Sequence, residues 1–306
     1  MTELSEALLV TEVALLLAGL GYASFTDLKT REVPDPLWQG LGLAALGLGG
    51  VAIAPGGAVP LALWLLVGLL TLQHMFAWDV RLGDAVERYA DLLELAFYVA
   101  TIVLVALAAI HYGLGPSAVP YAVLALLATV VFARGLFELG ILFGGADAKA
   151  LMVAGFLVPV LSAPLYVPNA ASAALNAWLP FAVNLLMDAA LASIAIPIAL
   201  AVRNVRRREF SFPRGFTGYS LPVEELPSRF VWVRDPAVPS RDRAEEGIET
   251  SEDDQRHRAS MAADLRARQI RRVWVTPQIP FVVVMAVGAL LALLAGNLLL
   301  DLFAVA

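Results

Sequence analysis

The chain has 306 residues, 59% of them hydrophobic, a mean hydropathy of +0.76 and a formal net charge of −6. An ordinary soluble domain keeps its apolar share near one half, and here the apolar residues fall in long blocks, so the composition excludes a soluble fold and points to an all-α polytopic membrane protein. With no cysteine and only His74, His111 and His257 scattered along the chain, disulfide, zinc-thiolate, thiol-nucleophile and histidine-metal chemistry are excluded, and no metal or other cofactor is expected.

The N-terminal MTELSEALLVTEV holds acids and neither Lys nor Arg. A cleaved signal peptide begins with positive charge, so this stretch reads as a first membrane helix that starts outside the cell. The apolar blocks predict about eight transmembrane helices, over 7–26, 37–54, 59–78, 91–112, 117–135, 149–168, 179–202 and 279–303. The connections near 55–58, 113–116 and 169–178 are rich in Gly, Pro, Asn, Ser and Ala, as turns are.

The basic residues order these spans. Lys29 and Arg31 follow the first, and Arg81 and Arg88 follow the third. Arg134 and Lys149 flank the connection before the sixth, and the other fifteen lie between Arg203 and Arg272. Eight alternating spans put all twenty-one on one side, which the positive-inside rule names cytoplasmic, and leave both termini outside. The expected organisation is a membrane domain of seven helices over 1–202, a small cytoplasmic segment of mixed structure over 203–275 and a C-terminal transmembrane helix within 276–306.

In the cytoplasmic segment, fifteen arginines face twelve acids. FPRGFTGYSLPVEELPSRFVWVRDP alternates enough for a short strand or two. AEEGIETSEDD reads as a flexible loop, a basic helix-like stretch follows, and Thr276-Pro277 reads as the start of the last span. Nothing in the segment suggests a nucleic-acid partner.

Carboxylates in or near spans are the informative polar groups, because burying an ionised side chain is costly. Asp27, in SFTDLKTREVPD, stands where the first span meets the cytoplasm. Asp147, in FGGADAKALM, stands where the sixth leaves it. Alone, each reads as well as a helix-end charge. At one depth, two aspartates share a proton and activate a water between them. One takes the proton of the attacking water and the other donates to the carbonyl oxygen under attack. Gly144 and Gly145 lack Cβ atoms and admit a close backbone. Lys149 reads as a membrane anchor or a substrate contact. Arg134 and Glu138 are spaced as a helix-surface pair, and Asn184 and Asp188 as partners inside the bundle. Asp84, in Arg81-Leu-Gly-Asp84, is the competing second aspartate, although its charged flanks resemble an exposed loop.

Three stretches resemble archaeal prepilin peptidases, the preflagellin peptidase group of membrane aspartyl proteases. TDLKTREVPDPLW resembles the family's first aspartate region, and FGGADAKALM the second, a GxGD-type motif with Ala146 at its third position. GFTGYSLPVEEL with RVWVTPQIPF resembles the soluble segment and the entry into the final helix. The resemblance implies catalytic roles for Asp27 and Asp147, and removal of the short positive leader from type IV pilin-like precursors and archaellins at the cytoplasmic face of the cell membrane. The acidic membrane part, with Glu32 and Asp35 near Asp27, would attract such a leader. Family members usually have six spans, so the fourth and fifth read as an even insertion that keeps both aspartates on one face. The alternative is a proton- or cation-coupled transporter using the same carboxylates. Besides these precursors, membrane lipids are the expected partners.

Overall fold

A computed structural model describes residues 3–76, 84–115, 118–142, 144–161, 176–234 and 251–304. Long apolar blocks free of helix breakers become helices: α1 (Glu3–Thr30), α2 (Asp35–Ile53), α3 (Ala58–Phe76), α4 (Asp84–Tyr112), α5 (Val119–Glu138) and α6 (Gly145–Leu157). Then come α7 (Phe181–Ser193) and α8 (Ala195–Arg206). Strands β1 (Tyr219–Pro222) and β2 (Val231–Val233), α9 (Ser251–Ala267) and β3 (Arg272–Pro277) follow, and α10 (Phe281–Ala295) and α11 (Leu298–Ala304) close the chain.

The chain forms two compact units. One comprises Met1–Lys29, Val33–Leu191 and Phe281–Ala306, and the other Thr30–Glu32 and Ala192–Pro280. In the first, α6 is the central element. Every residue from Ala148 to Leu157 is buried, and α6 packs on α2, α3, α5 and α10. Close approach there depends on small residues, as it does between membrane helices generally. A Cβ on Gly155 would come 2.7 Å from the Thr129 side chain of α5. One on Gly49 would enter the ring of Trp64, whose Nε1 donates to the Leu46 carbonyl at 3.1 Å. Large apolar side chains cover the outside of α4, with Ile110 84% exposed, as suits contact with lipid.

Among the described residues, six of the eight expected spans include helical stretches long and apolar enough to cross a bilayer unaided: Leu4–Thr30, Asp35–Gly56, Ala58–Phe76, Leu95–Tyr112, Val119–Glu138 and Phe181–Arg206. A span needs about 20 residues, whereas α6 has 13 and α10 has 15. The sixth predicted span ran to 168, but α6 ends at Leu157 and residues 162–175 lie outside those described.

The last predicted span, 279–303, is two helices because Gly296 takes φ 78° after α10. An interrupted backbone inside a bundle must find other partners. Asn297, fully buried, supplies several of them. Its Oδ1 accepts from Leu300 N at 3.0 Å, capping α11, and its Nδ2 donates to Asn184 Oδ1 at 2.9 Å. Asn297 N donates to Asn176 Oδ1 at 3.2 Å, and Leu298 N to Asp188 Oδ1 at 2.9 Å. The Asn184 and Asp188 expected to be bonded inside the bundle are thus bonded to this break. The expected Arg134–Glu138 pair is present at 2.8 Å.

The second unit holds an antiparallel sheet in the order β1-β3-β2, with Tyr219 opposite Val275 and Val231 opposite Pro277. Val273 and Val275 of β3 point into a core with Leu221, Val223, Leu226, Val231, Ala262 and Leu265. Thr276-Pro277 therefore ends a strand instead of starting the last helix, which begins at Phe281, because β2 takes up the pairing opposite both residues. The acidic run is not all loop, since residues 251–254 open α9; residues 235–250 lie outside those described.

Gly288 of α10 provides a test of the close packing. A Cβ there would press on the Leu185 carbonyl and come 2.6 Å from Ala189 N, backbone atoms that cannot swing away, whereas one on exposed Gly47 of α2 meets nothing within 4 Å. Gly288→Ala is expected to lower stability by about 1–3 kcal/mol. Gly47→Ala should raise it by roughly 0.5–1 kcal/mol. Thermal unfolding of the two purified variants in detergent checks both signs.

Candidate active site

The turn before α6 explains its own glycine. Gly144 is the N-cap residue, with φ −118° and ψ 133°, an extended conformation open to any residue. Its missing Cβ matters for space: a Cβ there would lie 3.3 Å from Asp147 Oδ2. The Asp147 carboxyl therefore folds back beside the helix entrance, while Asp147 N donates to the Gly144 carbonyl at 3.1 Å. Asp147 is the third residue of α6, where the helix dipole favours negative charge. Gly145, Ala146 and Asp147 are half-buried, and burial is complete from Ala148 onward.

Asp27 lies in the last turn of α1, also half-buried. Its charge acts on the Asp147 carboxyl, so the two groups lie within electrostatic range although 120 positions apart. Four helices, α2 to α5, separate the two residues in sequence. A direct contact marks the same level. Lys149 Nζ, on a side chain 3% exposed, pairs with Asp35 Oδ1 at 2.8 Å, joining the first turns of α6 and α2. Lys149 thus turns to Asp35 and not outward as an anchor would, and the charge of Asp35, itself 44% exposed, is matched by an ammonium.

The other sequence candidates fall elsewhere. Asp84 is the first residue of α4, with its side chain outside the described part, as is Arg81. Glu32 belongs to the second unit. The Arg31 beside it was not singled out from sequence. It has a positive φ of 63°, and its guanidinium lies over the Phe230 ring, 4.8 Å from the centroid, with the buried Arg258 guanidinium 5.3 Å from the same ring. Arg258 pairs with Asp254, which also accepts from Gln278 Nε2 at 3.2 Å. The one local signal was position, between two helices and three residues before Pro34. Among the described residues no group of three or more His, Cys, Asp or Glu could hold a metal ion.

The helices and their apolar outer faces fit a multi-pass membrane protein. Residues 212–298 match the family described as Archaeal Peptidase A24 C-terminus Type II, a stretch running from before β1 to α11 that includes neither Asp27 nor Asp147. A preflagellin peptidase of Methanocaldococcus jannaschii is 28% identical over 183 residues, covering 57% of this chain and 71% of that protein. The chain is therefore similar to an archaeal A24 peptidase family over its C-terminal part and to a preflagellin peptidase over more than half of its length. No solved structure matches the chain.

The Lys149–Asp35 pair makes a directional prediction. Asp35→Asn removes the carboxylate and leaves a buried ammonium, a change that costs several kcal/mol in a sealed site. The exposure of Asp35 reduces this to about 1–2 kcal/mol. The double variant Asp35→Asn, Lys149→Met should recover much of the loss, read as unfolding temperature in the same detergent. A double variant less stable than Asp35→Asn by the full cost of Lys149→Met would show that the two side chains are not coupled.

Proposed function

We propose that the chain is a membrane aspartyl endopeptidase that removes the short, positively charged leader from type IV pilin-like precursors and archaellins at the cytoplasmic membrane face. What supports this reading is that Asp27, in the last turn of α1, and Asp147, in the first turn of α6, lie within electrostatic range of each other. Two carboxylates that interact this way titrate as a pair, one holding a proton while the other is ionised. The ionised member accepts a proton from a water as its oxygen attacks the peptide carbonyl carbon. The protonated member donates to the carbonyl oxygen. The gem-diol intermediate then collapses: one of its hydroxyls returns a proton to the member that has become ionised, and the amine leaves with the proton that the other member took from water, so the dyad again holds one proton.

In this reading an extended precursor segment lies beside the Asp147 carboxyl, where Gly144 and Gly145 add no side chains of their own. The leader's positive charge suits a membrane part rich in acids. The family similarity and the name of the M. jannaschii relative support the substrate class.

Purified enzyme incubated with a pilin-like precursor should release the leader, while Asp27→Asn and Asp147→Asn should each leave it intact. Cleavage that survives in Asp147→Asn would move the second catalytic role to Asp84. The wild-type pH–rate profile should show two coupled ionisations, and a single one would argue against the dyad. Gly144→Ala should keep the fold and lower kcat about tenfold, because its Cβ would displace the Asp147 carboxyl by a few tenths of an ångström from its working position.

A further inference from the structure

The second unit contains a cavity of about 400 Å³ lined by four arginines: Arg203, Arg207, Arg229 and Arg272. Glu225 is the one carboxylate among its lining residues. The charges of Arg207 and Arg229 act on Arg203, and so does the opposing charge of Glu209. Gathering like charges costs free energy unless a counter-charge is present, and the protein supplies little of it here. Arg229 reaches Glu225 only at 3.4 Å, and Arg272 is held by Glu209 at 2.8 Å and by Ser220 Oγ at 2.9 Å. Arg207 is exposed and has no ion-pair partner among the described residues. Arg203 is stacked over Tyr219, 3.6 Å from the ring centroid, and its Nη1 is buried without a hydrogen-bond partner. A buried N–H left unpaired costs about 1–3 kcal/mol, so this donor is open to a hydrogen-bond acceptor.

The depth of the site indicates the ligand. Arg203 and Arg207 stand at the end of the apolar stretch Phe181–Arg206, the level at which a span meets lipid headgroups. Buried Asn204 ties that end to the sheet region by donating to the Gly215 and Gly218 carbonyls at 2.8 and 2.7 Å. Directly after it, Phe210, Phe212 and Phe216 form a cluster with centroids 5.4 and 6.3 Å apart, and Phe212 is 81% exposed. Exposed aromatics beside a run of arginines are what a surface lying at the membrane interface presents.

We propose that this arginine cavity binds the phosphate of an anionic lipid headgroup, locking the end of α8 to the bilayer surface. Arginine suits the task, because its fixed fork donates two hydrogen bonds to phosphate oxygens. The site takes no part in peptide cleavage, so it stands or falls separately from the peptidase reading.

Native mass spectrometry and thermal unfolding of the full chain in detergent test it, with phosphatidylglycerol, phosphatidylcholine and inorganic phosphate as probes. Phosphatidylglycerol should bind and raise the unfolding temperature, with phosphatidylcholine at least tenfold weaker. The exposed charge reversal Arg207→Glu and the milder Arg229→Gln should each weaken phosphatidylglycerol at least tenfold while leaving the unliganded unfolding temperature within about a degree. Equal protection by inorganic phosphate and phosphatidylglycerol, lost in the same variants, would overturn the lipid and make free phosphate the ligand. Phosphatidylglycerol binding that is absent, or unchanged in both variants, would overturn the site.

Discussion

A helix buried on every side has few places for charge, and α6 keeps its ionisable groups in its first turns. Lys149 is there because Asp35 of α2 meets it at 2.8 Å. That contact brings the first turns of α2 and α6 to one level, and with them the residues just before α2 and at the start of α6. Asp147 shares the turn with Lys149, and Asp27 precedes α2 by a short connection. The Lys149–Asp35 pair is consistent with a common depth for the two aspartates. An ion pair at such an edge suits this use better than apolar packing, since its geometry is directional and a slip of one helix by a turn would leave an ammonium in an apolar interior.

The same economy governs the far part of the membrane unit. The chain interrupts its last helix at Gly296 and then satisfies the freed backbone with Asn297, Asn184, Asn176 and Asp188. Polar residues that look costly in an apolar block are the condition for breaking a helix where no water can solvate it. In the second unit polar groups take the opposite role. Arg31 and Arg258 share the ring of Phe230, and Asn204 fastens the end of α8 to the Gly215–Gly218 turn, so a small sheet with a small core gains side-chain ties from both chain directions.

Asp27 and Asp147 were legible because each sits at the end of a long apolar block beside Lys or Gly. The charge distribution then said that they share a face. Lys149 was legible as important but not for its partner, because nothing in local spacing links position 149 to 35. Gly144 was read as room for another chain, whereas its nearest neighbour is the Asp147 carboxyl. The break at Gly296 was missed because LLALLAGNLLLDLF keeps its hydropathy straight through the turn, and a single Gly-Asn is a weak stop signal inside an apolar run. Thr276-Pro277 misled for a related reason: a strand end and a helix start use the same residue types, and only the pairing with β2 tells them apart.

By itself the sequence determined the membrane class, the helical blocks and the charged segment near the C-terminus, because each of these follows from local hydropathy and charge. The tertiary structure decided the partners: Lys149 with Asp35, Asn297 with Asn184, Arg31 with Phe230, and the meeting of four arginines around one cavity. Those contacts join residues up to 199 positions apart in the chain (Arg31 and Phe230), and no local period records them. Burial sets the requirement that a polar group be paired. Only the packing of the helices selects the group that pairs with it.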